Sequence, residues 1–215
     1  KKTSFITTID ESGKVMFRRN LANQEEHILD YFANLDGPTK IVIESMCSWY
    51  WLYDLLTGNG FRVVLSNPKK TKAIASAKIK NDKVDSHMLA QLLRADLIAT
   101  VHVSSIKTRK LKELLRHRRR LVQDGTRMKN RIHMLLMKKN ISIPVSDLFG
   151  VKGMQLLKEI DLPIYHRGQL KSYLKLYGYI TKQIEPLTKR IKHLAQKDPK
   201  AQLLMTIPGI GFLTA

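Results

Sequence analysis

Three acids carry the chemistry this sequence offers. Asp82 and Asp85 lie three residues apart, so a helix starting in Lys80-Asn81-Asp82 sets both carboxylates on one face of its first turn. Negative charge is best tolerated there, where the helix dipole is positive. Behind them Val84, Met88, Leu89, Leu92 and Leu93 form a core-facing stripe at helical spacing. Carboxylates beside a buried stripe in a basic chain need a partner, and a divalent cation suits their hard oxygens. The plainer alternative makes Asp82 an N-cap and Asp85 a first-turn acid. Glu44 weighs toward the cation. It ends the apolar run Ile41-Val42-Ile43, and ligands gather at the carboxyl ends of strands in α/β sheets. Glu44, Asp82 and Asp85 are therefore expected to converge at one edge of a sheet.

The elements that must position them can be read in order. Residues 3–9 and 14–19 are β-rich runs joined by Asp10-Glu11-Ser12-Gly13, which predicts a hairpin. Asn23-Gln24-Glu25-Glu26 opens a helix that Asp36-Gly37-Pro38 ends. A strand over 40–44, a helix around Trp49 to Leu56 and a strand over 61–65 follow. This alternation predicts a sheet with parallel members and right-handed crossovers. Trp49, Tyr50, Trp51 and Tyr53 read first as packing of that helix onto the sheet, with base stacking as the alternative.

Charge speaks to partners. The 215 residues carry 38 Lys and Arg against 18 acids, a net +20, which points first to nucleic acid and second to an anionic membrane. No apolar run approaches the roughly 20 residues that span a bilayer, and no signal peptide is visible. Cys47 is alone, which excludes a disulfide framework and a thiolate zinc site and makes a cytoplasmic setting the default. Starting at Lys1 without Met and stopping at Ala215 within an apolar run, the chain reads as a fragment.

Lys69, Lys70, Lys72, Lys78 and Lys80 form a run without acids that leads into Asp82. A solvated face and a phosphate-facing role are both open for it. Between Lys107 and Lys139 thirteen Lys and Arg meet two acids. Arg116, Arg118, Arg119 and Arg120 are the densest cluster, with Arg127, Lys129 and Arg131 beyond. Leu111, Leu114, Leu121, Met128, Ile132 and Leu135 fit heptad a and d positions, where Arg118 and Gly125 are defects. Asn140 to Gly153 breaks this helix. A second seam of Leu170, Tyr173, Tyr177, Ile180, Ile184, Leu187, Ile191 and Leu194 has no defect. Pro186 predicts a kink near Lys182. The two seams could pair within one chain as a hairpin or between chains, and the unbroken seam, poorly matched to the defective one, predicts at least a homodimer through 169–196. The tail Ile207-Pro208-Gly209-Ile210-Gly211 has the Gly-x-Gly turn by which backbone N–H groups can face phosphate.

Glu44 after a strand, Lys80-Asn81-Asp82-Lys83-Val84-Asp85, the long basic helices and the Ile-Pro-Gly-Ile-Gly tail together resemble the DEDD transposases of bacterial insertion sequences. Their catalytic domain is similar to the junction resolvase RuvC. The resemblance implies an α/β ribonuclease-H-like (RuvC-like) domain over 1–105, a long α-helical coiled-coil region over 106–200, and the start of a C-terminal transposase domain over 201–215. It implies metal-dependent DNA cleavage and strand transfer on four acids with Mg²⁺ or Mn²⁺, and a partner serine in the C-terminal domain. DNA and a structured bridge RNA are the implied partners, in bacterial cytoplasm at the nucleoid.

Carried over by motif, Glu44 matches the second acid, Asp82 the third and Asp85 the fourth, each as catalytic and metal-binding residue. Asn81 stands where Thr is frequent. The first acid has no match, since Asp10 falls in the hairpin turn, so that acid and the serine are expected outside the fragment. Lys69, Lys70, Lys72, Lys78, Lys80, the Arg116–Arg120 cluster, Arg127, Lys129, Arg131, Gly209 and Gly211 are expected to hold nucleic acid. Ser45, Ser48 and Ser86 are weaker nucleophile candidates, Ser86 reading better as helix surface or as support to the acids. The alternatives are a stand-alone junction nuclease, which needs a complete acid set, and a non-catalytic scaffold for structured RNA.

Overall fold

The computed structural model describes residues 2–46, 49–74 and 81–215. Two compact units divide the chain, Lys1–Val103 and Ser104–Ala215.

In the first unit the β-branched run of β1 (Thr3–Ile9) pairs antiparallel with β2 (Val15–Ala22). Asp10 closes their turn, its carboxylate accepting from the Lys14 amide at 2.9 Å and the Ser12 hydroxyl at 2.7 Å. Gly13 takes φ +89° there, a conformation Gly adopts without steric cost. After α1 (Glu25–Ala33), β3 (Lys40–Glu44) and β4 (Arg62–Ser66) pair in parallel, with α2 (Trp49–Gly58) as their crossover. The sheet expected to be one is, among the described residues, two two-stranded ladders, β1–β2 and β3–β4. Side chains join them instead. Ile28 and Phe32 of α1, Ile41 and Leu56 form a buried cluster that also gathers Ile6, Leu21, Leu52, Leu55 and Val63. Burying each large member contributes about 1.5–3 kcal/mol.

α3 (Pro68–Ile74) follows β4, and α4 (Asp82–Arg94) packs along β1. Of the expected α4 stripe only Leu92 is fully buried, the others being half-buried. After α4 the chain adds a short third contact to β4, Asn67 donating to the Ala99 carbonyl and Val101 to that of Leu65.

The second unit is helical. α5 (Ile106–Met137) and α7 (Ile164–Lys197) are its long members, with α6 (Val151–Glu159) between them and α8 (Pro199–Met205) after. Arg118 meets Thr188 while Gly125 lies against Tyr177 and Ile180, so α5 and α7 run antiparallel. Ile132, Leu135, Leu136, Leu157, Leu162 and Leu170 are buried where the 138–163 segment joins them. Gly153 is required there, because a Cβ would stand 2.3 Å from the Leu148 carbonyl oxygen.

One expectation changes. The seam expected to need a second copy is covered by α5 of the same chain: Leu170 and Ile191 are buried, and Tyr173, Tyr177, Ile180, Ile184 and Leu187 half-buried. The defects of α5 are what make this fit, since Gly125 makes room for Tyr177 and Arg118 finds a hydroxyl. Leu111, counted in the α5 seam, is 38 % exposed instead. α7 is one helix with Pro186 inside it. Among the described residues no helix is long and apolar enough to cross a membrane.

Candidate carboxylate and nucleic-acid sites

Glu44 occupies the last position of β3, in register with Ser66 of β4. The chain turns sharply there, the Met46 amide donating to the Glu44 carbonyl and that of Ser45 to the Ser66 carbonyl. Ser66 is fully buried, its hydroxyl 2.7 Å from that of Thr71 on α3. Asn67 starts α3 by accepting from the Lys69 and Lys70 amides at 3.1 and 3.2 Å. The strand register thus brings Glu44 and the lysine-bearing helix, with Lys69, Lys70 and Lys72 exposed, to one end of the parallel pair. Carboxyl ends of parallel strands are where ligands bind in such sheets. Lys78, Lys80 and Ser48 lie outside the described residues.

Asp82 and Asp85 form the first turn of α4. The helix starts here because Asn81, in an extended conformation, accepts from the Val84 amide at 2.8 Å. Asn81 therefore replaces Asp82 as the cap, and both acids stand in the first turn. α4 is fixed by polar contacts along the hairpin. The Ser86 hydroxyl lies 2.7 Å from that of Thr7, Gln91 donates to the Gly13 carbonyl at 2.7 Å, and Arg94 to that of Glu11 at 3.4 Å. Sequence alone places Gln91 and Arg94 on a polar helix face without naming their acceptors, because both acceptors are backbone.

Among the described residues no three His, Cys, Asp or Glu side chains could together hold a metal ion. Glu44, Asp82 and Asp85 thus do not close into one ligand set. α4 is tied to β1 through Ser86 and also touches β3, the strand that Glu44 ends. Asp10, the weak substitute for a first acid, serves its own turn. The Ser12 hydroxyl and the amides around it hold its carboxyl below the ordinary value of 3.8.

On the second unit Arg116, Arg119, Arg120, Arg127 and Arg131 are exposed, whereas Arg118 is half-buried between the helices. Lys129 is also drawn inward, its ammonium 4.9 Å from the Phe149 ring centre and 5.5 Å from that of Tyr177. The tail makes a type II turn, Ile210 donating to the Ile207 carbonyl with Pro208 and Gly209 at its corners and Gly209 at φ +87°. A helical turn then begins at Gly211, whose carbonyl accepts from Thr214 and Ala215.

A mixed α/β unit with acids at a strand end and on a helix is consistent with the ribonuclease-H-like domain of a transposase. The chain belongs to the DEDD transposase family of the IS110 type, whose family model, described as a transposase, matches residues 1–140. It is similar to the transposase for insertion sequence element IS1328 of Yersinia enterocolitica, 26% identical over 215 residues, covering all of this chain and 63% of that protein. The transposase for element IS1533 of Leptospira borgpetersenii is 27% identical over 227 residues, all of this chain and 65% of that protein. That for IS1111A of Coxiella burnetii is 24% identical over 222 residues, 96% of this chain and 57% of that protein. The chain spans about three-fifths of the length of these curated relatives.

Proposed function

We infer that this chain is the acid-bearing and nucleic-acid-holding part of a DNA transposase that cuts and rejoins strands at insertion-sequence ends. The observation that carries this is the family match over residues 1–140, together with relatives that are insertion-sequence transposases along essentially the whole chain. Three supports come from the residues. Glu44 ends a parallel strand beside α3, Asp82 and Asp85 share the first turn of α4, and a net +20 suits a phosphate polymer. Glu44, Asp82 and Asp85 are the catalytic carboxylates in this proposal, with the metal requirement, Mg²⁺ or Mn²⁺, taken from the family. Among the described residues no three His, Cys, Asp or Glu side chains are placed to hold one ion together. Lys69, Lys70 and Lys72 hold phosphate near Glu44, and Gly209 and Gly211 offer amides to a backbone phosphate. A structured guide RNA selects the DNA, and two copies act together. Their contact is the flank of α7 at Leu176 and Tyr179, which are 46 and 64% exposed, rather than the covered seam.

Strand-transfer assays on a protein that carries this whole chain within its full length test the proposal. Asp85→Asn is expected to lower DNA cleavage by at least 100-fold while DNA binding persists within about 3-fold, as for a group acting in the transition state. Cleavage that survives Asp85→Asn and Asp82→Asn removes these acids from the chemistry. Cleavage that continues unchanged after all RNA is stripped from the protein removes the guide.

A further inference from the structure

Thr7 and Thr8 are neighbours in β1 and point to opposite faces of the hairpin. The Thr8 hydroxyl lies 2.6 Å from that of Tyr31 on α1, and the Thr7 hydroxyl 2.7 Å from that of Ser86 on α4. Ser86 directly follows Asp85 and stands one helical turn after Asp82. Its hydroxyl also meets the Lys83 carbonyl at 3.2 Å, which commits it to structure rather than to attack on a phosphodiester. A second tie holds α4 at the hairpin turn. Gln91 donates from Nε2 to the Gly13 carbonyl at 2.7 Å, and Arg94 donates from Nε to the Gln91 amide oxygen at 3.1 Å. The arginine thus keeps the NH₂ of that amide toward Gly13. The approach is close, since a Cβ at Gly13 would stand 2.9 Å from the amide oxygen.

Two ties at different azimuths fix the rotation of a helix about its own axis, which one tie leaves free. At about 100° per residue, Arg94 and Gln91 stand about 80° and 140° to one side of Ser86, and Asp82 and Asp85 about 40° and 100° to the other. Leu92, buried on α4, comes within about 20° of Asp85 on the same count. The hairpin turn therefore takes one flank of α4, and the acids take the flank on which the helix is buried. α4 touches β3 as well as β1, and β3 ends in Glu44.

We propose that Thr7, Ser86 and Gln91 are positioning residues of the acid site: they lock the rotation of α4 with Asp82 and Asp85 turned toward β3 and away from the hairpin turn. This rests on the reading of Asp82 and Asp85 as the catalytic carboxylates. The three act through those acids and leave the holding of DNA to the basic residues.

The test is DNA cleavage by the full-length protein that carries this chain, read as kcat and KM separately, with a thermal melt of every variant. Thr7→Val, Ser86→Ala and Gln91→Glu are each expected to lower kcat by about 10- to 100-fold, the cost of misplacing a reacting group by about 1 Å. KM for DNA is expected to stay within about 3-fold. Thr7→Ser and Ser86→Thr keep the hydroxyl pair and are expected to keep kcat within about 3-fold. Thr7→Val combined with Ser86→Ala is expected to cost no more than either alone, because both remove one contact. Thr8→Val breaks the like pair to Tyr31 on the opposite face, and is expected to lower Tm as Thr7→Val does while kcat holds. In metal-free buffer, hydrogen exchange of the Asp85 and Ser86 amides is expected to quicken in Thr7→Val and not in Thr8→Val. Equal kcat losses in Thr7→Val and Thr8→Val, or unchanged exchange in Thr7→Val, reduce the tie to general stability and overturn the proposal. A loss in Ser86→Ala without one in Thr7→Val makes Ser86 a reacting group and overturns it as well. If Asp85→Asn abolishes cleavage while Thr7→Val, Ser86→Ala and Gln91→Glu retain it, the positioning role fails and the reading of the acids stands. If Asp85→Asn retains cleavage, the reading of the acids fails with it.

Discussion

Arg118 donates from Nε to the Thr188 hydroxyl at 2.7 Å, and that hydroxyl in turn donates to the Ile184 carbonyl at 2.8 Å. One arginine of the densest basic cluster is thereby committed to joining α5 to α7. Its neighbours Arg119 and Arg120 remain in water. The same four-residue cluster serves packing and surface charge, divided by helical phase alone.

Arg118→Ala is therefore expected to lower the unfolding free energy by about 1.5–3 kcal/mol, the range for a charged group's hydrogen bond. Arg119→Ala is expected to change it by less than about 0.5 kcal/mol. Urea unfolding of both, with Thr188→Val to complete a double-mutant cycle, measures the coupling. Equal effects of the two arginine substitutions would sink the assignment.

Gly125 is buried, and a Cβ there would meet Ile180 at 3.7 Å and Tyr177 at 3.8 Å, ordinary contact distances. Gly125→Ala should then be neutral or add up to about 1 kcal/mol, because Gly costs that much in a helix interior. Gly125→Leu should destabilise by about 1–3 kcal/mol through overpacking. Thermal melts of the pair decide it, and a destabilising alanine would mean α5 and α7 approach more closely at this point.

The Asp10 carboxyl is held below 3.8 by the Ser12 hydroxyl and the Lys14 amide. A carboxyl whose folded pKa is depressed adds stability above its unfolded pKa and loses it as pH falls through the folded one. The hairpin should thus be firmest at neutral pH and loosen only below about pH 4. An NMR titration should show Asp10 protonating below the ordinary carboxylate range, and Asp10→Asn should abolish this pH dependence. A midpoint above 3.8 would contradict the turn geometry.

Association through the α7 flank predicts that Leu176→Asp or Tyr179→Asp shifts a dimer to monomer in sedimentation at tens of micromolar. Ile184→Asp should instead destabilise the fold itself, because Ile184 lies in the intrachain seam and an unpaired charge there costs several kcal/mol. If Ile184→Asp gives a folded monomer while Leu176→Asp stays dimeric, the two surfaces have been assigned the wrong way round.

Local signals were enough for the elements. The hairpin at Asp10 to Gly13, the strand over 40–44 and the helix opening at Asn81-Asp82 follow from turn chemistry, an apolar run and a cap. Each of these is settled by residues within a few positions. The spacing of Asp82 and Asp85 placed both on one turn for the same reason, and the family motif was legible in residue types. Which residues meet across the fold was not legible. Heptad counting scores each helix against itself, so Arg118 and Gly125 looked like defects until Thr188 and Tyr177 stood opposite them. The acids illustrate the same division. Sequence put Glu44 at a strand end and Asp85 on a helix turn. Only the tertiary structure decided that α4 follows β1, where the Ser86 and Thr7 hydroxyls meet. Local backbone preference acts between neighbours in sequence, whereas that contact is made by side chains 79 positions apart.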